Sequence, residues 1–245
     1  MSVEGSQTHG EQLPPEQPEL AADVSAAQLA DRQDQLCSEG SSLDEIVQET
    51  IAAAAPEPGL RWLDIGCGRG DLLRSVRDRW SPASLAGLDV IDWLDDDLRE
   101  DVSFQAVTIE DADGLAQADR VMLVEVIEHL PAPWAALRRA ASLVAPGGRI
   151  VVSTPNVAAL RSRIELAVRG ELTSFRPGYV PHMTPALPHV TAHVLEREGF
   201  AVELPRYAGA DVISLTGGRL WPEPIRRRWP RLTSVSVVLA ARRTA

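Results

Sequence analysis

The sequence predicts an α/β protein with a doubly wound, Rossmann-like sheet, and three observations support this prediction. From Arg61 onward, short apolar stretches that suit buried parallel strands alternate with amphipathic stretches that suit helices. A glycine-rich turn, Gly66-Cys-Gly-Arg-Gly70, directly follows the first of these strands, and the acidic residue Asp89 ends the second. Alternation of this kind implies right-handed crossovers between parallel strands, with ligands bound at the carboxyl ends of the strands.

The first predicted element is a helix over residues 42–55. Ser42-Leu-Asp-Glu45 has the spacing of a capping box and opens a helical apolar pattern, while Pro56 and Pro58 end it. Five strands of the predicted parallel sheet then lie near 61–65, 84–89, 102–107, 120–126 and 149–154. Two more strands near 201–207 and 233–241 complete a seven-stranded, mostly parallel sheet. The helices lie near 70–79, 133–144, 160–169 and 186–198.

Charge divides the chain into two parts. The formal net charge is −11, and residues 1–60 contain twelve acidic residues and a single arginine, Arg32, so the rest of the chain is balanced. Residues 1–40 are rich in Glu, Gln, Pro, Ser and Ala, and such a segment cannot bury enough apolar surface to order itself. We therefore expect a disordered acidic tail over 1–40 and one domain over 41–245. That domain divides into a cofactor half, 60–156, and an acceptor, lid and sheet-edge part, 157–245.

Composition also narrows the location of the protein. The chain is 44% hydrophobic, yet no apolar run approaches the roughly 20 residues that span a bilayer, and no signal-peptide pattern opens the chain. Two cysteines cannot build a disulfide framework. We expect a cytoplasmic protein without a transmembrane segment, and the sequence leaves its oligomeric state open.

The glycine turn differs from the dinucleotide-binding pattern. That pattern is Gly-x-Gly-x-x-Gly with a helix N-terminus aimed at a pyrophosphate, whereas this chain has Gly-x-Gly-x-Gly preceded by Asp64. An acid at this point repels phosphate and suits a cation. Asp64 to Gly70 resembles the first motif of the class I S-adenosyl-L-methionine (SAM) methyltransferases, whose ligand carries an ammonium and a sulfonium group. The resemblance covers about 60–245. The sequence follows the family's motifs closely to residue 156 and only loosely beyond it.

This resemblance implies a fold, a cofactor and a set of cofactor-binding residues. The last two strands would form an antiparallel hairpin at the sheet edge. Asp64 would hold the amino group of SAM, and Asp89 would accept the ribose hydroxyls. The glycine loop would pack under the methionine part, and the residues after the third strand would contact the adenine. The implied cofactor-binding residues are Asp64, Gly66, Cys67, Gly68, Gly70, Asp89, Val107 and Thr108.

A second cluster of polar residues follows the fourth strand, in Glu125-Val-Ile-Glu128-His129. Two carboxylates and an imidazole within five residues suit a hard or borderline divalent cation. The Glu-x-x-Glu-His pattern resembles the O-methyltransferases of ubiquinone biosynthesis, and also the small-RNA 3′-terminal 2′-O-methyltransferases. Both resemblances imply a later histidine ligand, here His182 in His182-Met-Thr-Pro185.

The implied ligands of Mg²⁺ or another divalent cation are Glu125, Glu128, His129 and His182. The cation would lower the pKa of an acceptor hydroxyl. Without it, His129 could act as the general base, and Glu125 and His129 are the predicted catalytic residues. A packing role for the histidine remains an alternative. Asn156, in the Thr-Pro-Asn turn that ends the fifth strand, is a candidate contact to the acceptor or the cofactor, and a local turn role for its side chain is the alternative. In the loop 170–181, the candidate contacts to the acceptor are Phe175, Arg176 and Tyr179.

The sequence therefore predicts a SAM-dependent methyltransferase that acts on a hydroxyl of a small molecule or glycan. Two alternatives stay open. One is 2′-O-methylation of small RNA, which the absence of net positive charge in the folded part disfavours. The other is a non-catalytic SAM-binding or scaffold protein that uses the acidic tail as an interaction arm. The acceptor and the regiochemistry do not follow from the sequence.

Overall fold

A computed structural model describes residues 40–176, 182–212 and 220–244. The predicted acidic tail lies outside the described residues except for Gly40, and so does Tyr179. In the described part, an eight-stranded sheet carries two hydrophobic cores, one on each face. Neighbouring residues of the first strand enter different cores, because strand side chains alternate in direction: Trp62 packs on one face and Leu63 on the other.

The sheet has the order β3-β2-β1-β4-β5-β8-β6, and β7 also pairs with β8. Pairing is parallel from β3 to β5, whereas β8 is antiparallel to β5, β6 and β7. The strands are β1 Arg61–Ile65, β2 Ser84–Asp89, β3 Val102–Ala106, β4 Ala118–Val124, β5 Val144–Pro155, β6 Phe200–Val202, β7 Arg206–Ala210 and β8 Ser234–Arg243.

Among the described residues, five helices lie close to their predicted positions, and the last two, which are short, lie where none was predicted. The helices are α1 Gly40–Ala53, α2 Asp71–Trp80, α3 Pro133–Ser142, α4 Leu160–Arg169, α5 Pro188–Arg197, α6 Glu223–Arg228 and α7 Pro230–Thr233. Residues of α1 and α2 belong to one core, and residues of α3 and α5 belong to the other. Within the described ranges, no helix is long and apolar enough to cross a membrane.

The sheet confirms the predicted fold class but has one strand more than the seven expected. The single strand predicted over 201–207 is divided into β6 and β7, which pair with different parts of β8. Pro205 lies in the break and has no N–H to donate to a strand partner, and Leu204 beside it is 87% exposed. The antiparallel edge implied by the resemblance is therefore present, formed by three strands rather than a hairpin of two.

The sheet register brings the predicted site residues to one edge. Strand β1 lies between β2 and β4, where the strand order reverses, and Ile65 pairs with Leu88 on one side and Leu123 on the other. The residues that follow these partners, Gly66 and Asp89 among them, therefore lie side by side at the carboxyl ends of the strands. In open α/β sheets, this switch point is where ligands bind.

Candidate functional site

The glycine loop makes a tight turn against the residues that follow β4. Gly66, Gly68 and Gly70 have φ of 77°, 53° and 90°, which L side chains rarely adopt. A Cβ on Gly66 would lie 2.3 Å from the Cγ2 of Val126. The N–H groups of Gly66 and Cys67 donate to the carbonyl oxygen of Leu88 at 2.7 and 2.9 Å. The loop is thus fixed to β2 and lies directly beside the Glu125–His129 segment.

Asp64 is a buried acid with an unused oxygen. It is 3% exposed, and among the described residues its Oδ1 has no hydrogen-bond partner. Burial, followed by the charges of Asp89 and Asp71, raises the pKa of Asp64 to about 8. A buried carboxyl without a donor is costly, whereas an ammonium group against it would restore both the charge and the hydrogen bond. Asp64 therefore fits the amino group of SAM.

Asp89, at the end of β2, holds the glycine loop through hydrogen bonds. Its Oδ2 accepts from the N–H of Gly68 at 2.9 Å and its Oδ1 from the N–H of Ile91 at 3.2 Å. Burial raises the pKa of Asp89, and these backbone donors oppose the rise. A carboxylate has about four acceptor sites, so Asp89 can still accept two ribose hydroxyls.

The other predicted cofactor contacts have different surroundings. Cys67 is buried in the core between the loop and α2, where burial raises the pKa of its thiol, so it can line the loop only through its backbone. Val107 and Thr108 follow Ala106, which pairs with Asp89, and so they lie at the expected edge. The hydroxyl of Thr108 is used locally, because it donates to the carboxylate of Asp111 at 2.9 Å.

Glu125 is held in a strained backbone conformation. It follows β4 with φ of 54°, a left-handed value that is unusual for a residue with a side chain. Ser153 of β5 donates to its Oε1 at 2.8 Å. Burial raises the pKa of Glu125 to about 7, although hydrogen bonds from Ser153 and Ser236 lower it. Such a carboxyl changes charge near neutral pH, as a general base requires.

Glu128 is a second buried carboxyl, three residues later. It has no exposed surface, and neither carboxyl oxygen has a hydrogen-bond partner among the described residues. Burial, with the charge of Glu125 adding to it, raises the pKa of Glu128 well above its usual range. The hydroxyl of Thr154 faces this carboxyl and lowers the pKa slightly, but the two groups do not complete a hydrogen bond of good geometry. A bound cation would offset the cost of burying the charged carboxylate of Glu128.

His182 and His129 converge on Glu128. One ligand atom from each of Glu128, His129 and His182 lies within 4.8 Å of the others, and the two imidazole centroids are 4.6 Å apart. The Nδ1 of His182 lies 2.7 Å from the carbonyl oxygen of Ser174, which can only accept, so Nδ1 carries the proton and Nε2 the lone pair. Burial lowers the pKa of His182, which favours this neutral form.

Three of the four implied metal ligands are therefore brought together, and Glu125 lies outside that group. Two observations fit a divalent cation. The buried oxygens of Glu128 have no donor among the described residues, and His182 has the carbonyl partner that metal-bound histidines commonly use. Within the described ranges, His189 and His193 of α5 are exposed and form no such group.

Sequence reasoning missed the hydroxyl residues that surround Glu125 and Glu128. Ser153 and Thr154 are buried polar residues inside the otherwise apolar strand β5, and Ser236 is a similar case in β8. Small hydroxyls at the end of apolar strands were the available signal, but nothing in the spacing shows that they face Glu125.

Asn156 is buried and has the local turn role that was the alternative to a cleft contact, together with a second role that links two strands. Its Nδ2 donates to the carbonyl oxygens of Arg231 and Ser234, both at 2.9 Å, and its Oδ1 accepts from Ala158 at 3.2 Å. These bonds use the side-chain amide to join the end of β5 to the start of β8.

Comparison with known proteins agrees with this architecture. A family model described as a methyltransferase domain matches residues 32–204. The ubiquinone biosynthesis O-methyltransferase of Xanthomonas campestris pv. campestris (strain B100) is 32% identical over 124 residues, which are 47% of this chain and 51% of that protein. The chain thus matches about half the length of that relative. The enzyme of the same name from Xylella fastidiosa (strain 9a5c) is 28% identical over 209 residues, 82% of this chain and 80% of that one.

Solved structures show the same fold. A chain from the complex between the Haloferax volcanii Trm112 methyltransferase activator and a proposed methyltransferase has a TM-score of 0.65 and 18% identity, covering 89% of this chain and 97% of its own. A SAM-dependent methyltransferase from Archaeoglobus fulgidus has a TM-score of 0.58 and 18% identity, covering 89% of this chain and all of its own. With the family match over 32–204 and the glycine loop at the switch point, the chain belongs to the methyltransferase domain family and has its class I, SAM-dependent fold.

Proposed function

We propose that this protein is a SAM-dependent O-methyltransferase that methylates a hydroxyl of a small molecule or glycan with the help of a divalent cation. The observation that carries the proposal is the convergence of Glu128, His129 and His182 within 4.8 Å, beside the glycine loop. The loop follows Asp64, a buried acid whose Oδ1 has no hydrogen-bond partner in the described part of the chain. The curated relatives named above are called O-methyltransferases, which agrees with a hydroxyl acceptor.

The cofactor half of the site orients the methyl donor. SAM, when bound, supplies an electrophilic methyl carbon. Asp64 would hold its amino group and Asp89 its ribose hydroxyls, so these two residues would anchor the cofactor at two points. Gly66 lies against the side chain of Val126, so the loop is directly beside the Glu125–His129 segment. An acceptor bound there would lie in line with the methyl group, and such positioning supplies much of the rate in a displacement reaction.

The acceptor half would remove the proton from the acceptor hydroxyl. Glu125, whose pKa burial raises to about 7, or His129 would serve as the base, because both follow β4 at the ligand-binding edge of the sheet. Glu128, His129 and His182 offer one carboxylate and two imidazoles, a set that suits Mn²⁺, Fe²⁺ or Zn²⁺ better than Mg²⁺, which prefers oxygen ligands. A cation held by these residues would lower the pKa of the acceptor hydroxyl.

Binding of SAM and S-adenosylhomocysteine, measured by calorimetry with and without Mn²⁺, tests the cofactor site. We expect micromolar binding to the wild type and a large loss in Asp89→Ala, with no change in the exposed control Asp113→Ala. No binding by the wild type in any condition would sink the enzyme proposal and favour the scaffold alternative.

Transfer of an isotope-labelled methyl group to a panel of phenols, catechols, short oligosaccharides and short RNA tests the acceptor class. We expect labelled ethers from small hydroxyl compounds, lost in His129→Gln and reduced by a chelator. Transfer to RNA alone would favour the small-RNA alternative. Helix α6 contains three consecutive arginines, Arg226 to Arg228, and Arg226 is paired with Glu45, which leaves less positive charge for phosphates.

A further inference from the structure

The hydrogen-bond partner of His182 belongs to a short turn that follows α4. Gly170, with φ of 74°, ends that helix, and the chain reverses through a turn in which the N–H of Phe175 donates to the carbonyl of Leu172 at 3.0 Å. Ser174, inside this turn, provides the carbonyl oxygen that accepts from Nδ1 of His182, and the ring of Phe175 lies 5.2 Å from the imidazole. The turn therefore orients the ring of His182, while the backbone beside it is held by the N–H groups of Met183 and Thr184, which donate to the carbonyl oxygen of Glu128 at 2.8 and 3.2 Å.

A polar chain ties this turn back to α4. The hydroxyl of Thr173 donates to Oε2 of Glu165 at 2.8 Å, and Nε of Arg161 donates to Oε1 of the same carboxylate at 3.2 Å. The guanidinium of Arg161 lies 3.9 Å from the buried carboxylate of Asp211. Glu165 is itself only 15% exposed, so solvent screens these contacts less than it screens ordinary surface pairs.

Apolar packing contributes little to holding the same segment. Of the α4 residues, only Ser162 is buried, whereas Ile164, Leu166 and Val168 are exposed to solvent. A helix usually keeps its position by burying an apolar face. Because α4 buries so little apolar surface, we expect the hydrogen bond between Thr173 and Glu165 to contribute much of what fixes the turn relative to the helix.

We propose that Glu165 and Thr173 are positioning residues that hold the Ser174 carbonyl against Nδ1 of His182 and so aim Nε2 of His182 at Glu128 and His129. Their bond links the turn to α4, so in this proposal they act through His182. The inference rests on the proposed function, because that function gives His182 its role beside the acceptor hydroxyl. The state of the imidazole can nevertheless be measured without any turnover.

Long-range ¹H–¹⁵N NMR correlation spectra of the histidine rings report the tautomer directly, and His182→Gln assigns the signal. We expect the Nδ1–H tautomer in the wild type and in Thr173→Ser, which retains the hydroxyl. Thr173→Val has the same shape without the donor, and Glu165→Ala removes the acceptor. Both should move His182 toward the Nε2–H tautomer that free imidazole prefers. Glu171→Gln, an exposed change in the same segment, is the matched control and should resemble the wild type.

Titration with Co²⁺, followed by its visible absorption, is the second readout. Loss of an outer partner of a ligating histidine typically weakens metal binding about 10–100-fold. We expect a loss of this size in Thr173→Val, little change in Thr173→Ser, and unchanged SAM affinity in both, which shows that they are folded.

The outcomes separate the two proposals. A wild-type tautomer and wild-type Co²⁺ affinity in both Thr173→Val and Glu165→Ala would overturn the positioning role while the proposed function stands. A shifted tautomer in these variants, with no Co²⁺ binding by the wild type, would support the positioning role and overturn the metal-assisted function.

Discussion

The hydroxyl of Ser153 donates to Oε1 of Glu125 at 2.8 Å and accepts from the backbone N–H of the same residue at 3.0 Å. Ser153 has no exposed surface and lies on β5, next to the end of β4. The pair of bonds supports a residue with φ of 54°, a conformation that costs about 1–3 kcal/mol and occurs mostly at functional sites. A single buried hydroxyl thus fixes both the backbone and the carboxyl of the proposed base.

We expect Ser153→Ala to lower methyl transfer about tenfold or more, because a hydrogen bond to a charged group contributes about 1.5–3 kcal/mol. Removal of the donor raises the pKa of Glu125 further above 7, so the loss should be larger at pH 7 than at pH 8.5. Rates at both pH values and the SAM affinity check this. Ser142→Ala, an exposed hydroxyl at the end of α3, is the control. Equal loss at both pH values would argue that Ser153 does not act through the charge of Glu125.

The buried carboxyl of Asp64 should lower the free energy of unfolding of the cofactor-free protein at neutral and alkaline pH. Its pKa is about 8 in the folded chain and near 3.9 when unfolded, so the folded state binds the extra proton between these values. The free energy of unfolding therefore falls as pH rises from about 4 to 8, and it is not regained above pH 8. Asp64→Asn removes this dependence, and we expect its melting temperature to exceed that of the wild type by more at pH 8.5 than at pH 6.

The same Asp64→Asn variant should bind SAM much more weakly, because a neutral amide cannot pair with the ammonium group. Thermal unfolding at the two pH values and calorimetry with SAM measure both effects. Asp113→Asn, an exposed change of the same type, should alter neither property. A stability gain that does not depend on pH would contradict the explanation from buried charge.

Gly66 should not tolerate a methyl group. In Gly66→Ala the new Cβ would lie 2.3 Å from Cγ2 of Val126, at a φ of 77°, and we expect a cost of about 3 kcal/mol from backbone strain and overlap together. The comparison is Gly114→Ala, which has a φ of 70° but no neighbouring atom within 4 Å and should cost about 1–2 kcal/mol.

Urea unfolding and SAM affinity distinguish overlap from backbone strain. Val126→Ala introduced into Gly66→Ala removes the two closest atoms and should restore part of the stability and part of the SAM binding. No recovery in the double variant would show that the overlap with Val126 is not the cause.

Asn156→Ala should act on stability rather than on substrate recognition. It leaves the carbonyl oxygen of the buried Ser234 and that of Arg231 without these donors, and we expect a loss of about 2–4 kcal/mol in the free energy of unfolding. Urea unfolding measures this loss, while KM for the acceptor should be nearly unchanged in protein that remains folded. A raised KM with normal stability would instead indicate that Asn156 contacts the acceptor in the cleft.

Much of the fold could be predicted because local patterns and the global architecture agree. The predicted bounds of β1 and β2 are those of the structure, since each is a short apolar run ended by a glycine turn or an acid. The region after residue 200 was less predictable, because its strands are antiparallel edge elements whose limits depend on pairing with β8. Pro205 was a visible signal for the division into β6 and β7, but only the register on β8 shows that both halves are strands.

The sequence by itself determined the doubly wound core, the glycine loop with Asp64 and Asp89, and the residue types of the second site. These follow from short-range patterns, in which hydrophobic period, glycine positions and the order of strands already restrict the chain to a few topologies. Tertiary structure decided which of those residues meet. It placed Glu128, His129 and His182 together, directed Glu125 to Ser153, and used Asn156 as an internal link. Such contacts join segments dozens of residues apart, and no local pattern encodes which way a buried side chain turns.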